Sequence, residues 1–263
     1  MIRQRLGKDL LFFDGGMGTL LQEKGLAPGE LPETWNLTHS EEIYKIHRQY
    51  IEAGSDIILT NTFGANALKF HDDSCSLEEI IKAAVSHVKK AEREALLQTG
   101  DERKIYTALD VGPTGKLLKP MGDLEFETAY EAFKEVVILG EQAGADLIHI
   151  ETMSDTYELK AAVLAAKENT SLPVFATVIF DERKKLLTGA DVSSVVALLE
   201  GLGVDALGIN CAMGPKEMLP VLEELIKYSS VPIIVKPNAG LPKQRDGKTY
   251  YDVTEDEFAA YME

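Results

Sequence analysis

Short apolar runs alternate with longer amphipathic stretches along most of the chain. Seven of the runs have the length of strands and no strict alternation of apolar and polar residues, which is typical of parallel strands buried on both faces. These runs cover residues 10–13, 57–59, 105–109, 147–150, 174–179, 206–209 and 233–235. The stretches between them place apolar residues at helical spacing, as in residues 41–53. The pattern therefore predicts a series of strand–helix units.

Short local signals mark where the predicted helices end and begin. A Gly-x-Asp tripeptide separates a predicted helix from the next strand at residues 54–56, 144–146 and 203–205. Glycine readily adopts the left-handed conformation that ends a helix, so each tripeptide predicts a helix stop followed by a strand. Three capping-box pairs predict helix starts: Thr38 with Glu41, Ser76 with Glu79, and Thr254 with Glu257.

Repeated strand–helix units predict an α/β fold with a parallel sheet. We favour a (β/α)₈ TIM barrel over a doubly wound open sheet, because residues 14–19 lack the G-x-G-x-x-G spacing. No linker divides the chain, which predicts a single domain over residues 1–263. A closed barrel needs eight strands, and the last predicted helix starts at Thr254, close to the end of the sequence. We expect a C-terminally incomplete barrel, truncated before strand eight; a naturally short last helix is the alternative.

Composition narrows the classes of function. The 263 residues are 45% hydrophobic, enough for a large core, and they carry a formal net charge of −16. That charge disfavours nucleic acid and anionic membrane as partners and favours a small-molecule substrate. The sequence has no apolar run long enough for a membrane span, and its two cysteines are too few for a disulfide framework. We therefore expect a cytoplasmic protein in a reducing compartment.

Polar or glycine-rich clusters follow most of the predicted strands. In β/α barrels the active site collects at the carboxyl ends of the strands, so these clusters are the candidates for chemistry. They comprise residues 14–16, 60–62, 112–115, 151–152, 210–211 and 237–240. Cys211 is the most specific of these residues, and it is either a thiolate ligand or nucleophile or a small buried hydrophobe. Cys75 lies outside the clusters and is interpreted as structural.

Two acids and one lysine in these clusters need an explanation. Asp14 and Glu151 are costly at a barrel mouth unless each has a cationic partner, either a substrate ammonium or a neighbouring Arg or Lys. Lys236 ends the seventh strand and is placed either to form a Schiff base with a carbonyl substrate or to form an ion pair. The five histidines show no paired spacing of the kind that metal ligands have.

Six ordered motifs resemble the homocysteine S-methyltransferase family, particularly the homocysteine-binding modules of its cobalamin-dependent members. The likeness runs from Leu11 to about Met262. The motifs are residues 14–19 (DGGMGT), 60–66 (TNTFGAN), 112–115 (GPTG), 151–155 (ETMSD), 208–211 (GINC) and 236–240 (KPNAG). The resemblance implies a (β/α)₈ barrel that binds one zinc ion through three cysteine thiolates.

The resemblance also implies which residue would bind the metal. Cys211 matches the zinc ligand at the end of strand six. The other two ligands belong to a Gly-Gly-Cys-Cys-Gly signature at strand eight, which this sequence does not contain. A single thiolate is a poor zinc site, so we expect this polypeptide to be metal-free. We also expect its barrel to be open between strands seven and one.

For the substrate, the resemblance implies homocysteine, which accepts a methyl group and becomes methionine. Zinc would keep the homocysteine thiol nucleophilic by holding it as a thiolate. The implied substrate-binding residues are Asp14 and Glu151 for the ammonium, the amides of Gly15 and Gly16 for the carboxylate, and Asn210 and Asn238 for orienting neighbouring groups. The implied donor is methylcobalamin on another module of a longer protein, with a folate module as the ultimate source. S-methylmethionine and betaine are alternative donors.

Two other functions remain open at the level of sequence. A Schiff-base aldolase or lyase on a similar barrel would use Lys236 as its nucleophile. A catalytically silent chain would bind homocysteine without methylating it.

Overall fold

Six parallel strands form one sheet in which each strand pairs with its neighbours in sequence, in the order β1-β2-β3-β4-β5-β6. The computed structural model describes residues 1–70, 74–100, 102–240, 243–245, 248–250 and 253–262. The strands are β1 (Ile57–Leu59), β2 (Tyr106–Val111), β3 (Leu147–Met153), β4 (Val174–Val178), β5 (Ala206–Asn210) and β6 (Ile233–Lys236). An antiparallel hairpin follows, made of β7 (Lys243–Arg245) and β8 (Lys248–Tyr250).

Helices connect the parallel strands, as the amphipathic stretches predict. The α-helices are α1 (Gly18–Glu23), α2 (Trp35–Thr38), α3 (Ser40–Glu52), α4 (Leu77–Thr99), α5 (Phe126–Ala143), α6 (Thr156–Asn169), α7 (Val192–Gly201), α8 (Pro215–Tyr228) and α9 (Glu255–Met262). Among the described residues, no helix combines the length and the apolar character needed to cross a membrane. The curled sheet with alternating helices confirms the predicted α/β barrel class.

The predicted first strand, residues 10–13, is wrong as a strand. Only Phe13 pairs with β1, through a single parallel bridge to Ile57. The next residue is Asp14, whose side-chain Oδ2 accepts the hydrogen bond from the Leu59 amide at 2.9 Å. The Asp14 carboxylate thus accepts the hydrogen bond that a main-chain carbonyl would accept in a parallel ladder. The pairing of this segment with β1 therefore ends here. The hairpin β7–β8 was not predicted, because its segment is short and polar.

The side of the sheet that faces the barrel interior changes character along the strands. At the amino ends the interior is an apolar cluster of Ile2, Ile57, Tyr106, Ala108, Leu147, Phe175, Ala206 and Ile234. Ile2 comes from a 3-10 turn, Ile2–Gln4, and its neighbour Arg3 forms an ion pair with Asp205 just before β5. Two residues further along the same faces, or four residues further on β5, the interior becomes polar. Asp110, His149, Thr177, Asn210 and Lys236 lie there.

The opposite side of the sheet packs against the helices in the main hydrophobic core. Strand residues such as Ile148, Val174 and Leu207 meet helix residues such as Phe133 and Leu159, all of them fully buried. This layer accounts for the continuous apolar character of the strands, since both faces of a strand are covered except at its carboxyl end.

The three Gly-x-Asp tripeptides set the register of the strands. Gly54, Gly144 and Gly203 have positive φ, as a helix stop requires. The aspartate of each tripeptide forms two hydrogen bonds with a main-chain segment that precedes it in the sequence. Its amide donates one, and its carboxylate accepts the other. Asp146 donates its amide to Thr107 O at 2.8 Å, and its Oδ2 accepts the Thr107 amide at 2.9 Å.

The other two aspartates repeat this arrangement. Asp205 pairs in the same way with Val174, at 2.8 and 2.9 Å, and Asp56 with Phe12, at 2.7 and 3.0 Å. The units that begin at β1, β3 and β5 are therefore each aligned at their amino end by one carboxylate. The tripeptide predicts more than a helix stop, because its third residue fixes how the new strand pairs.

Two of the predicted capping boxes are confirmed and one is wrong. Ser76 and Glu79 exchange hydrogen bonds at the start of α4, and Thr254 and Glu257 do so at the start of α9. Thr38 instead ends α2, and its hydroxyl donates to the carbonyl of Thr34 at 3.1 Å. The hydroxyl is thus used by the preceding turn, and α3 begins at Ser40 without it.

Candidate active site

Cys211 lies directly after β5, at the carboxyl end of the barrel. Its amide donates to the carbonyl of Lys236 at 3.0 Å, which continues the β5–β6 pairing by one residue. Its φ is +55° and that of Ala212 is +61°, values that non-glycine residues rarely adopt. The half-buried thiol accepts a hydrogen bond from Asn210 Nδ2 at 3.4 Å. Burial, reinforced by the charge of Glu151, raises the pKa of Cys211.

Asn210 joins the ends of two strands that do not pair with each other. Its Nδ2 donates to Thr152 Oγ1 at 2.7 Å, and its Oδ1 accepts the Thr152 amide at 3.0 Å. Thr152 has a φ of +64°, which is a genuine outlier for a β-branched residue, and the β3–β4 register shifts at this point. Asn210 thus couples the position of Cys211 to that of Glu151, the neighbour of Thr152.

Glu151 is buried at the mouth and has a cationic neighbour within the protein. Lys236 Nζ donates to Glu151 Oε2 at 2.7 Å, and His149 Nε2 lies 3.3 Å from the same oxygen. Burial alone would raise the pKa of Glu151, but the charge of Lys236 and the nearby His149 outweigh it and lower that pKa to about 2. Of the partners that the sequence left open for Glu151, the structure shows the neighbouring lysine.

Lys236 is a charged residue rather than a reactive amine. Burial opposes its charge, yet the carboxylates of Glu151 and Asp14 raise its pKa above the ordinary lysine value. Its Nζ also lies 5.0 Å from the ring centre of Phe13, which favours the cation further. A Schiff-base nucleophile must be a neutral amine, usually with a lowered pKa. The ion pair therefore argues against the aldolase alternative.

Asp14 is held by one of its carboxyl oxygens only. Oδ2 accepts the Leu59 amide, whereas Oδ1 is buried and has no hydrogen-bond partner among the described residues. Burial raises the pKa of Asp14 to about 7, although the charge of Lys236 counteracts part of that effect. The carboxyl group is thus poised between its neutral and ionised forms near neutral pH.

Asp110 is a site residue that the sequence reasoning missed. The third predicted strand ends at Leu109, and Asp110 was not among the candidate site residues. In the structure β2 continues to Val111, and Asp110 faces the interior after Tyr106 and Ala108. The alternation along this face was the signal that could have revealed it. Burial, followed by the charge of Glu151, raises the pKa of Asp110 well above its ordinary value.

The remaining predicted residues lie in the loops around these side chains. Gly15 and Gly16 are exposed, and Tyr50 donates a hydrogen bond to the Gly16 carbonyl at 3.1 Å. A Cβ at Gly15 would lie 2.8 Å from the same hydroxyl, so a larger residue would displace the tyrosine. Asn238 is half-buried, and its amide donates to Met213 O at 3.0 Å, joining the loops after β5 and β6.

Comparison with known proteins identifies the family. The sequence model described as homocysteine S-methyltransferase matches residues 11–263. This chain belongs to the homocysteine S-methyltransferase family. It is 33% identical to the methionine synthase of Mycobacterium leprae and 34% identical to that of Mycobacterium tuberculosis, each over 97% of this chain. The chain spans only 22% of the length of either relative.

Solved structures agree with the assignment to the homocysteine S-methyltransferases. The homocysteine methyltransferase MmuM from Escherichia coli, in its metallated form, superimposes with a TM-score of 0.80 at 25% identity. The match covers 89% of this chain and 85% of that one. The apo form of the same protein gives a TM-score of 0.75 over 88% of this chain.

The family resemblance implies a zinc site made of three cysteine thiolates. Within the part of the chain that the structure describes, no three His, Cys, Asp or Glu side chains are grouped so that they could hold a metal ion. Cys211 is therefore a single potential ligand. Cys75, the other cysteine, packs against the hydrophobic core before α4, consistent with a structural role. The described residues by themselves do not build a zinc site.

Proposed function

We propose that this member of the homocysteine S-methyltransferase family binds homocysteine at the carboxyl ends of its strands and presents the thiol for methylation to methionine. The observation that carries the proposal is the convergence of Asp14, Glu151 and Cys211 at the one polar end of the interior. Asn210 connects the thiol of Cys211 with the strand that bears Glu151. In this proposal the acids bind the amino-acid end of the ligand, and Cys211 lies toward its thiol end.

The charges at the site suit the amino-acid part of homocysteine. An ammonium group near Asp14 and Glu151 would pair with two carboxylates, and its arrival would lower the pKa of Asp14 and ionise it. No described residue accepts a hydrogen bond from the amides of Gly15 and Gly16. These amides lie next to Asp14 and are placed to donate to the substrate carboxylate.

Zinc is proposed as the cofactor of the longer protein of which this chain would be one module. Cys211 would supply one thiolate, and two further thiolates would come from a segment outside this sequence. Because the described residues do not form the site, no catalytic step is derived through the metal. What this chain supplies is the position of one ligand, fixed by the Cys211–Lys236 and Asn210–Cys211 hydrogen bonds.

The proposed methyl donor is methylcobalamin, carried on another module and recharged from folate. Both mycobacterial relatives are named methionine synthases, and this chain matches only 22% of their length, which leaves room for such modules. Donors used by other members, S-methylmethionine and betaine, are tested in the same assay. A chain that binds homocysteine without methylating it is the alternative.

The test uses the protein extended past Glu263 in its natural reading frame. We expect one zinc ion per chain and formation of methionine from homocysteine and methylcobalamin. Cys211→Ala should abolish zinc binding while circular dichroism shows an intact fold, and Cys75→Ala, the matched control, should keep its zinc. Zinc retained in Cys211→Ala would refute the ligand assignment. Absence of methionine with all three donors would refute the proposed activity.

A further inference from the structure

The main chain of Asp110 is held firmly, whereas its side chain is not. The Asp110 amide donates to Thr60 Oγ1 at 3.1 Å, and Thr62 Oγ1 donates to the Asp110 carbonyl at 2.7 Å. Both threonines lie in the loop after β1, so the ends of β1 and β2 are fastened together at this residue. The residue is only 6% exposed, yet its Oδ1 has no hydrogen-bond partner among the described residues.

Asp110 faces the same interior as the site residues already described. In the sheet Asp110 lies opposite His149 of β3. Glu151 follows His149 by two residues and is on the same face of that strand. Charges of Glu151, Lys236 and Asp14 all act on its carboxyl group. The titratable groups around this space are Asp14, Glu33, Tyr50, Asp110, His149, Glu151, Cys211 and Lys236.

The acids in this space outnumber the cations that the described residues provide. Lys236 Nζ lies 2.7 Å from Glu151 Oε2 and forms an ion pair with it. Burial lowers the pKa of His149, so its imidazole is neutral at pH 7. Asp14 and Asp110 are left without a direct cationic partner, and each has one buried, unpartnered oxygen. Glu33 Oε2 is likewise buried and without a partner among the described residues. Buried carboxylates are normally paired or hydrogen-bonded, so three exceptions around one space point to a missing cationic ligand.

We propose that Asp110 is a substrate-binding residue that, together with Asp14, receives the α-ammonium group of the amino-acid substrate. This inference rests on the proposed function and deepens it. An ammonium group has three donors, which Asp14, Asp110 and Glu151 satisfy together. Lys236 acts as a positioning residue, because its ion pair holds Glu151 charged and oriented. The site thus recognises an α-amino acid rather than a simple thiol.

The test separates recognition of the ammonium from recognition of the rest of the ligand. Homocysteine and 4-sulfanylbutanoate, which lacks only the amino group, are titrated calorimetrically into the zinc-loaded protein extended past Glu263 and into its Asp110→Asn variant. Because hydrogen bonds to charged groups are worth about 1.5–3 kcal/mol, we expect Asp110→Asn to weaken homocysteine binding about 10- to 150-fold. Its affinity for 4-sulfanylbutanoate should stay within about twofold. Asp56→Asn, a buried aspartate at the amino end, is the matched control and should leave both affinities unchanged.

A second readout does not depend on the variant folding. In wild-type protein at pH 6.5, homocysteine should release more protons on binding than 4-sulfanylbutanoate, because the ammonium ionises Asp14 and Asp110. Equal proton release for the two ligands, or equal losses of affinity in Asp110→Asn, would overturn the role of Asp110 alone. Failure of the zinc-loaded extended protein to bind homocysteine at all would overturn the proposed function with it.

Discussion

The two ends of the barrel use aspartate in opposite ways. At the amino end, each Gly-x-Asp carboxylate accepts a hydrogen bond from a main-chain amide, as Asp146 does from Thr107. At the carboxyl end, Asp14 and Asp110 each keep a buried oxygen without a partner among the described residues. The same side chain therefore stabilises the fold at one end and is left available for a ligand at the other.

Backbone strain follows the same division. At the amino end the positive φ angles belong to glycines, Gly54, Gly144 and Gly203, for which they cost little. At the carboxyl end they occur at the glycines Gly115 and Gly240 but also at Thr152, Cys211 and Ala212, where a side chain makes such a conformation costly by about 1–3 kcal/mol each. Such strain persists where the surroundings hold it, here through the Asn210 hydrogen bonds. The difference predicts that substitutions at the two ends will separate stability from binding.

The largest effect is expected from breaking the buried ion pair at the carboxyl end. Lys236→Met leaves the charge of Glu151 buried without its cation and should lower the free energy of unfolding by about 3–5 kcal/mol. Urea denaturation at pH 7 measures it. The double variant Lys236→Met/Glu151→Gln removes the unpaired charge and should recover most of the loss. If the single variant loses less than about 1 kcal/mol, Lys236 does not hold Glu151 as described.

The next effect concerns Ile2, in the apolar cluster at the amino ends of the strands. Its side chain is 2% exposed and packs against the other members of that cluster. Ile2→Ala should cost about 2–5 kcal/mol in the free energy of unfolding through the cavity that it leaves. Leu10→Ala, at a residue that is 73% exposed, is the control and should change stability by no more than about 0.5 kcal/mol. Similar losses in the two variants would contradict the assignment of Ile2 to the core.

A smaller loss is expected when one register aspartate is removed. Asp146→Ala leaves the Thr107 amide without its side-chain acceptor and should destabilise the chain by about 1–3 kcal/mol. Because Asp146 lies at the amino end, the affinity for homocysteine should not change. Thermal denaturation and calorimetric titration on the same sample measure both quantities. A weakened affinity in the folded variant would mean that the two ends are not independent.

The smallest effect has the opposite sign and depends on pH. The pKa of Asp14 rises from 3.8 to about 7 on folding, so its contribution to stability is complete below pH 4 and is lost as the pH rises through 7. Asp14→Asn cannot ionise, so it avoids the roughly 4 kcal/mol that this pKa shift represents at pH 8, whereas its buried amide group without an acceptor costs about 3 kcal/mol at every pH. The variant should therefore be about 1 kcal/mol more stable than wild type at pH 8 and about 2–3 kcal/mol less stable at pH 4. Denaturation curves at both pH values provide the measurement. A constant difference between pH 4 and pH 8 would show that Asp14 titrates normally.

Much of the fold follows from patterns local in sequence. Six of the seven predicted strands are present, because apolar runs bounded by helix stops report local structure directly. Residues 10–13 fail as a strand because a side chain, Asp14, takes the place of a main-chain acceptor, and composition does not reveal that substitution. Thr38 fails as a cap because two competing local hydrogen bonds were available to it.

The site was less accessible to sequence reasoning, because its chemistry depends on pairs that are distant in the chain. Asp14, Glu151 and Cys211 could be named from their positions after strands. The partner of Glu151 could not, since Lys236 is 85 residues away and only the curvature of the sheet brings the two together. Asp110 was missed because the predicted strand ends at Leu109, whereas β2 continues to Val111.

The division between the two ends is tested most directly by measuring homocysteine affinity and unfolding free energy together, at pH 8, for Asp14→Asn and Asp146→Ala. Asp14→Asn should bind homocysteine at least about tenfold more weakly while being as stable as wild type or more so. Asp146→Ala should bind like wild type while being less stable. If instead affinity and stability fall together in both variants, the carboxyl end is not a binding site separate from the machinery that holds the fold.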